Sequence, residues 1–344
     1  MNDVKDNNYY YFIDYLRVVC CGAVMVLHLI INTRDYFGVK DIKLDMAFTV
    51  LFNICMFAVP VFLMITGFLL LDERRIYDRK SMYKYVGRIT SVLLLFGTSF
   101  NIIEYVFVEK SFEISSLLSA ICGVVIGKSW NHMWYCYMLL GIYILLPIIK
   151  TLTGAMTKIT YSWFLIVLGI YNFVYVWLVD LFGFEDHFRF CSVYIFYLLL
   201  AFYIKKYNIS LSKHLMCLVA VMDMILIFIL VFIKRIFQVE DLAFVFGYSG
   251  ITVAILAVCV FNVFRMCNWE RTSHFVKKVS DYSFGIYIIH MVYINFIVKF
   301  LNIDFFKYGR YSLLVFLMEW LTVFVLSFFS VAIMKSIPLL KKII

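Results

Sequence analysis

Three side chains in the first apolar stretch of this sequence are of kinds that handle protons and charge: Asp14, Arg17 and His28. Asp14 and Arg17 stand three residues apart, so on a helix they share a face and can pair. Arg17 and His28 stand eleven apart, close to three turns at 3.6 residues per turn, which puts them on one face roughly 16 Å apart along the axis. An imidazole accepts a proton near neutral pH and suits general-base work on a hydroxyl. A fixed guanidinium on the same face can hold an anion or stabilise developing charge. The same residues also have a purely structural use, with Arg17 reaching a polar surface along its aliphatic stem and His28 bridging helices.

Two later clusters have the same mixed character. His132-Met-Trp134-Tyr135 combines an imidazole with flat aromatic surface, which suits a sugar ring, although Trp and Tyr at this depth also form the aromatic belt of a membrane span. Ser280-Asp-Tyr-Ser283-Phe-Gly-Ile-Tyr-Ile-Ile-His290 places Ser283 and His290 seven residues apart on one face. That is too far for a nucleophile–base contact, and hydrogen bonding between helices is the plainer use. Asp223 and Glu319 are ionisable residues inside apolar runs, with no partner that the sequence names.

The elements that must position these residues follow from composition. Hydrophobic residues make up 64% of 344 residues, and mean hydropathy is +0.93, beyond the usual 45–50% or so of soluble domains. The expected class is an all-α integral membrane protein of about ten transmembrane helices, since each crossing needs about 20 apolar residues. Stretches of suitable length lie at 11–33, 46–71, 89–108, 133–150, 160–182, 190–204, 214–233, 244–264, 281–301 and 311–334. The loops on the Lys5, Arg74–Arg88, Lys205–Lys213 and Arg265–Lys278 side are the richer in cations, so both termini are expected in the cytoplasm. Residues 72–88 form a basic cytoplasmic loop in this reading, and 114–127 an interfacial or re-entrant segment. Residues 1–344 make one transmembrane domain, with no cleaved leader and no appended extracytoplasmic domain expected. The net charge of +9 fits anionic lipid on the cytoplasmic face and gives no reason to expect nucleic acid. The nine cysteines form no C-x-x-C pair and read as small core residues, with neither a disulfide framework nor a metal site expected.

Asp14-x-x-Arg17 followed after ten residues by His28 resembles the first-helix signature of the membrane acyltransferase-3 family, which O-acetylates exported and surface glycans. The run from His132 to Pro147 is similar to that family's central helix, closest to the stand-alone branch that includes the enterobacterial-common-antigen acetyltransferase. Ser280-x-x-Ser283-x-Gly285-x-Tyr287-x-x-His290 resembles its late Ser–Tyr–His helix, and Gly67-Phe-Leu-Leu fits the end of its second span. The motifs run in order over residues 14 to 290. One departure lies at Lys84-Tyr-Val-Gly-Arg88-Ile-Thr-Ser91, where the family usually carries Arg-x-x-Arg and only Arg88 matches.

The resemblance implies a multi-pass protein of the bacterial cytoplasmic membrane. It implies transfer of an acyl group, acetyl first among them, from acyl-CoA to a hydroxyl of a surface glycan or lipid-linked saccharide. His28 and Arg17 would be catalytic. Asp14, Lys84, Arg88, His132, Trp134, Tyr135, Ser283 and His290 would bind substrate, with acyl-CoA as donor and no tightly bound cofactor. The rival expectation is a transporter or flippase-like accessory of polymer export, since an ionisable residue in a conduit serves transport equally well.

Overall fold

A computed structural model describes residues 9–110, 113–182, 192–237 and 246–344. Lys5, Arg189, Cys191 and the first residues of the expected spans 190–204 and 244–264 lie outside them. The described elements are helices, the open-ended form that satisfies every backbone polar group without water. They are α1 (Tyr11–Phe37), α2 (Ile42–Leu70), α3 (Arg79–Phe107), α4 (Ile114–Val125), α5 (Asn131–Ala155) and α6 (Lys158–Val179). There follow α7 (Val193–Lys206), α8 (Lys213–Phe237), α9 (Ile251–Met266), α10 (His274–Phe300), α11 (Phe305–Met334) and α12 (Pro338–Ile343). Among the described residues, 8 helices are long and apolar enough to cross a membrane: α1, α2, α3, α5, α6, α8, α10 and α11.

The helix α7 has 14 residues and α9 has 16, short of the crossing length, yet each runs from one end of the bundle to the other. Tyr194 near the start of α7 packs on Trp134 and Tyr248, while Lys205 near its end reaches Asp72 at 2.6 Å. The helix α9 begins just after Tyr248 and carries Arg265 in its last turn, where it donates to the Ile209 carbonyl beyond α7. The end where α1 begins gathers Arg74, Lys150, Lys205, Lys206 and Lys277, and is called the basic end below.

Two boundaries differ from the sequence expectation. Residues 79–88 are not loop but the first turns of α3, started by Asp78, whose carboxylate accepts from the Ser81 backbone N–H at 2.8 Å. A hydropathy window passes over helix made of charged residues. The helix α2 breaks at Met56–Phe57 because Pro60 has no N–H to give and its ring crowds the carbonyl four residues back.

The helix α1 lies at the centre, packed against α2, α9, α10 and α11. In lipid such packing rests on dispersion and close approach, for which small residues matter. At Gly67 a Cβ would overlap the backbone carbonyl of Leu198, so only glycine lets α7 lie this close to α2. The helices α1 and α10 run parallel. Asp14 meets Ser280 near the basic end and His28 meets His290 further along.

Candidate functional site

Three helices bring His28, His132 and His290 together: ring centroids are 5.1 Å apart for His28–His290, 6.2 Å for His28–His132 and 5.5 Å for His132–His290. His132 and His290 are buried at 1% and 0% exposure, and their protons are placed by backbone carbonyls. His132 Nε2 lies 3.1 Å from the Ile288 oxygen, and His290 Nδ1 lies 2.6 Å from the Tyr287 oxygen. Carbonyl oxygens only accept, so these nitrogens carry hydrogen, and His132 Nδ1 and His290 Nε2 are left as bare acceptors. Neither has a partner among the described residues. His28 is half-buried, and its ring makes no hydrogen bond to a described residue. The cluster therefore sets two fixed acceptors beside one imidazole free to exchange a proton. Among the described residues no group of His, Cys, Asp and Glu is arranged to hold a metal ion.

A cavity of ≈ 270 Å³ runs from the basic side toward this cluster, lined by Arg17, Thr66, Tyr85, Arg88, Tyr143 and Ser283, with Tyr135, Phe284 and Tyr287 among its other walls. The side chain of Tyr287 donates to the His132 carbonyl oxygen, and its ring lies 5.8 Å from His132 and 5.9 Å from His290. Arg17 and Arg88 have no carboxylate partner among the described residues. Arg88 is steered instead by the Ile343 carbonyl, 2.9 Å from Nε, and by the Phe284 ring, 5.0 Å away. The acidic lining residue, Asp281, is held by Lys277 at 2.9 Å. The walls thus present two guanidinium groups to an anion.

A second cavity, of ≈ 510 Å³, is lined by Gly127, Ser129, Trp130, Asn131, Trp134 and Tyr137 with Val125. Trp130 stacks on Phe100 at 4.6 Å, donates to Glu104 at 3.1 Å, and brings its ring within 6.3 Å of His132. His132 therefore touches one wall of each cavity. Flat indole surface beside amide and hydroxyl groups is what a sugar ring needs.

The structure corrects several sequence expectations. Asp14 does not pair with Arg17 and does not line the cavity. Its carboxylate, at 2% exposure, accepts from Tyr9 at 2.5 Å, Ser280 at 2.6 Å and Thr272 at 3.1 Å, with Lys277 3.7 Å away. A buried carboxylate takes the donors nearest to it, and here they come from α10 and the turn before it. Lys84 is exposed and lies off the cavity wall, where Tyr85 and Arg88 stand instead. Trp134 keeps its place in the second cavity's wall while packing on Tyr194 and Tyr248 at 5.5 and 5.4 Å, and its neighbour Tyr135 faces the first cavity. Ser283 donates to the Ser280 carbonyl at 2.8 Å while lining the cavity. Sequence reading left Tyr85, Tyr143 and Trp130 out of the site. Only their place beside Arg88 and His132 marks them, and spacing along the chain carries no trace of it. At the basic end burial alone would raise the Asp72 carboxyl, but hydrogen bonds from Arg74 and Lys205 outweigh it and hold it well below the usual carboxylate range.

Fold and site together define a multi-pass helical membrane protein built around a histidine cluster that lies against one wall residue of each of two cavities, Tyr287 and Trp130. A family model described as "Acyltransferase domain", of the acyltransferase-3 type, matches residues 10–335, and the chain belongs to this family. Comparison with curated proteins and with solved structures gave no match.

Proposed function

We propose that this protein is an O-acyltransferase that moves an acetyl or similar acyl group from acyl-CoA to a hydroxyl of a glycan or lipid-linked saccharide. The observation that carries the reading is the histidine cluster lying between an arginine-lined cavity and an aromatic-lined one. Arg17 and Arg88 hold donor phosphate or carbonyl oxygen, and the thioester arm points along the cavity toward His28. The saccharide rests against Trp130 and Trp134. His28 takes the proton of the acceptor hydroxyl as that oxygen attacks the thioester carbon. A C–O bond forms, the C–S bond breaks, and the proton passes to the departing thiolate. His290 Nε2, a bare acceptor in the ring 5.1 Å from that of His28, is placed to take the second N–H that His28 gains on protonation and to steady the charged ring.

We read ten crossings rather than eight, because α7 and α9 run end to end despite their length. The gathering of cations at the basic end supports placing it, and both termini, in the cytoplasm of a bacterial cell. The sequence motifs favour the stand-alone branch of the family, similar to the enterobacterial-common-antigen acetyltransferase. The test is turnover by the purified protein. Acceptor-dependent release of free CoA from acetyl-CoA, lost in His28→Ala, is the expected result. Export of acceptor without CoA release would make the protein a transporter instead.

A further inference from the structure

A separate cavity of ≈ 510 Å³ lies where α1 and α8 finish, at the opposite end from the basic one, lined by Arg34, Asp45, Thr49, Phe52, Lys234 and Arg235, with Met46, Val231 and Phe246 among its apolar walls. Arg34 follows His28 by six residues, which carries it roughly 9 Å further along α1 and onto a different face. The cavity is therefore distinct from the two beside the histidines. Its described lining holds three cations and one carboxylate. Arg34 takes up that carboxylate, with Nη2 3.0 Å from Asp45 and 2.8 Å from the Thr49 hydroxyl. Its Nε is buried and has no partner among the described residues. Lys234 and Arg235 are exposed and have no carboxylate partner among the described residues. The arrangement pairs a guanidinium N–H and two cations, none with a partner for these groups among the described residues, with an apolar wall at the level where spanning helices end.

We propose that this cavity binds the phosphate end of a membrane lipid: a phosphate monoester or diphosphate on an aliphatic chain. Guanidinium and ammonium groups together match phosphate oxygens, the first in fork geometry and the second as a point charge. The apolar walls take the first carbons of the chain. A free phosphate would satisfy the cations but leave Phe52, Val231 and Phe246 without a ligand. The site needs no acyl-CoA and no histidine, so it stands or falls apart from the acyl-transfer reading.

The test uses the purified protein in neutral maltoside micelles without acyl-CoA. Dodecyl phosphate is the probe, and inorganic phosphate and dodecanol are competitors. Saturable binding of dodecyl phosphate is expected in the parent and in Lys128→Ala/Arg310→Ala, which removes two exposed cations elsewhere. Lys234→Ala/Arg235→Ala should bind about thirtyfold more weakly, about fivefold for each cation lost near a lipid surface. Both changes fall on exposed side chains, so melting without ligand should match the parent. Dodecanol and inorganic phosphate should compete poorly. Equal affinity in the Lys234/Arg235 variant would overturn the site. Competition by inorganic phosphate at equal concentration would make it a free-anion site and overturn the lipid assignment. Measured separately, CoA release by the same variant shows whether acyl transfer is intact.

Discussion

His28, His132 and His290 come from helices far apart in the chain, and their roles differ because their neighbours differ. Backbone carbonyls fix the protons of His132 and His290, whereas neither ring nitrogen of His28 is bonded to a described residue. If His28 is the base, His28→Ala should lose about two to four orders of magnitude in kcat. Arg17→Ala should also be severely impaired. The double variant should be little worse than the worse single, because groups acting in one step are strongly non-additive. CoA-release kinetics on the four proteins check this, and near-parent rates in His28→Ala would end the assignment. Arg88 belongs to the same scale. Its guanidinium has no carboxylate partner among the described residues, so Arg88→Ala should raise KM for acyl-CoA, and the parent's own KM should rise with salt as the charge is screened. A KM unchanged by both substitution and salt would remove Arg88 from the donor cavity.

At the scale of elements, the site depends on the parallel pair α1 and α10. Asp14 clamps the pair near the basic end by accepting from Ser280 and from Thr272 in the preceding turn, which sets the register that brings His28 to His290. The helix α7 is held differently, by close approach to α2 at Gly67. Gly67→Ala forces a methyl group against the Leu198 backbone, which cannot yield as a side-chain tip can. Overpacking of this kind costs about 1–3 kcal/mol, and the melting temperature in micelles should fall clearly. Gly141→Ala is the control, since nothing lies within 4 Å of the added carbon. It should melt at or slightly above the parent, because alanine favours helix. Equal melting of the two variants would mean that α7 and α2 do not pack at Gly67.

For the whole molecule, orientation is the property on which the proposed mechanism turns. In that proposal donor and acceptor meet His28 from opposite ends, which requires the basic end to lie in the cytoplasm. Cys267 follows α9 near the basic end, and Cys122 is exposed on α4 near the other. In single-cysteine versions, an impermeant thiol reagent applied to intact cells should label Cys122 and spare Cys267. Labelling of Cys267 alone would reverse the orientation and the direction of transfer. The membrane class was legible from composition alone, since 64% hydrophobic residues cannot be covered by a soluble surface. Motif order likewise pointed to the family that matches residues 10–335. Apolar runs located the long helices but misplaced the start of α3, where an Asp78 cap and charged turns make helix without hydropathy. What a single helix face can express, such as the alignment of Arg17 with His28, follows from 3.6 residues per turn. What depends on which helix lies next to which does not. Asp14 finds Ser280 rather than Arg17, Arg88 faces a cavity while Lys84 does not, and three histidines converge, because neighbouring helices supply the donors and walls. That adjacency is decided by packing between segments far apart in the chain, to which local sequence is blind.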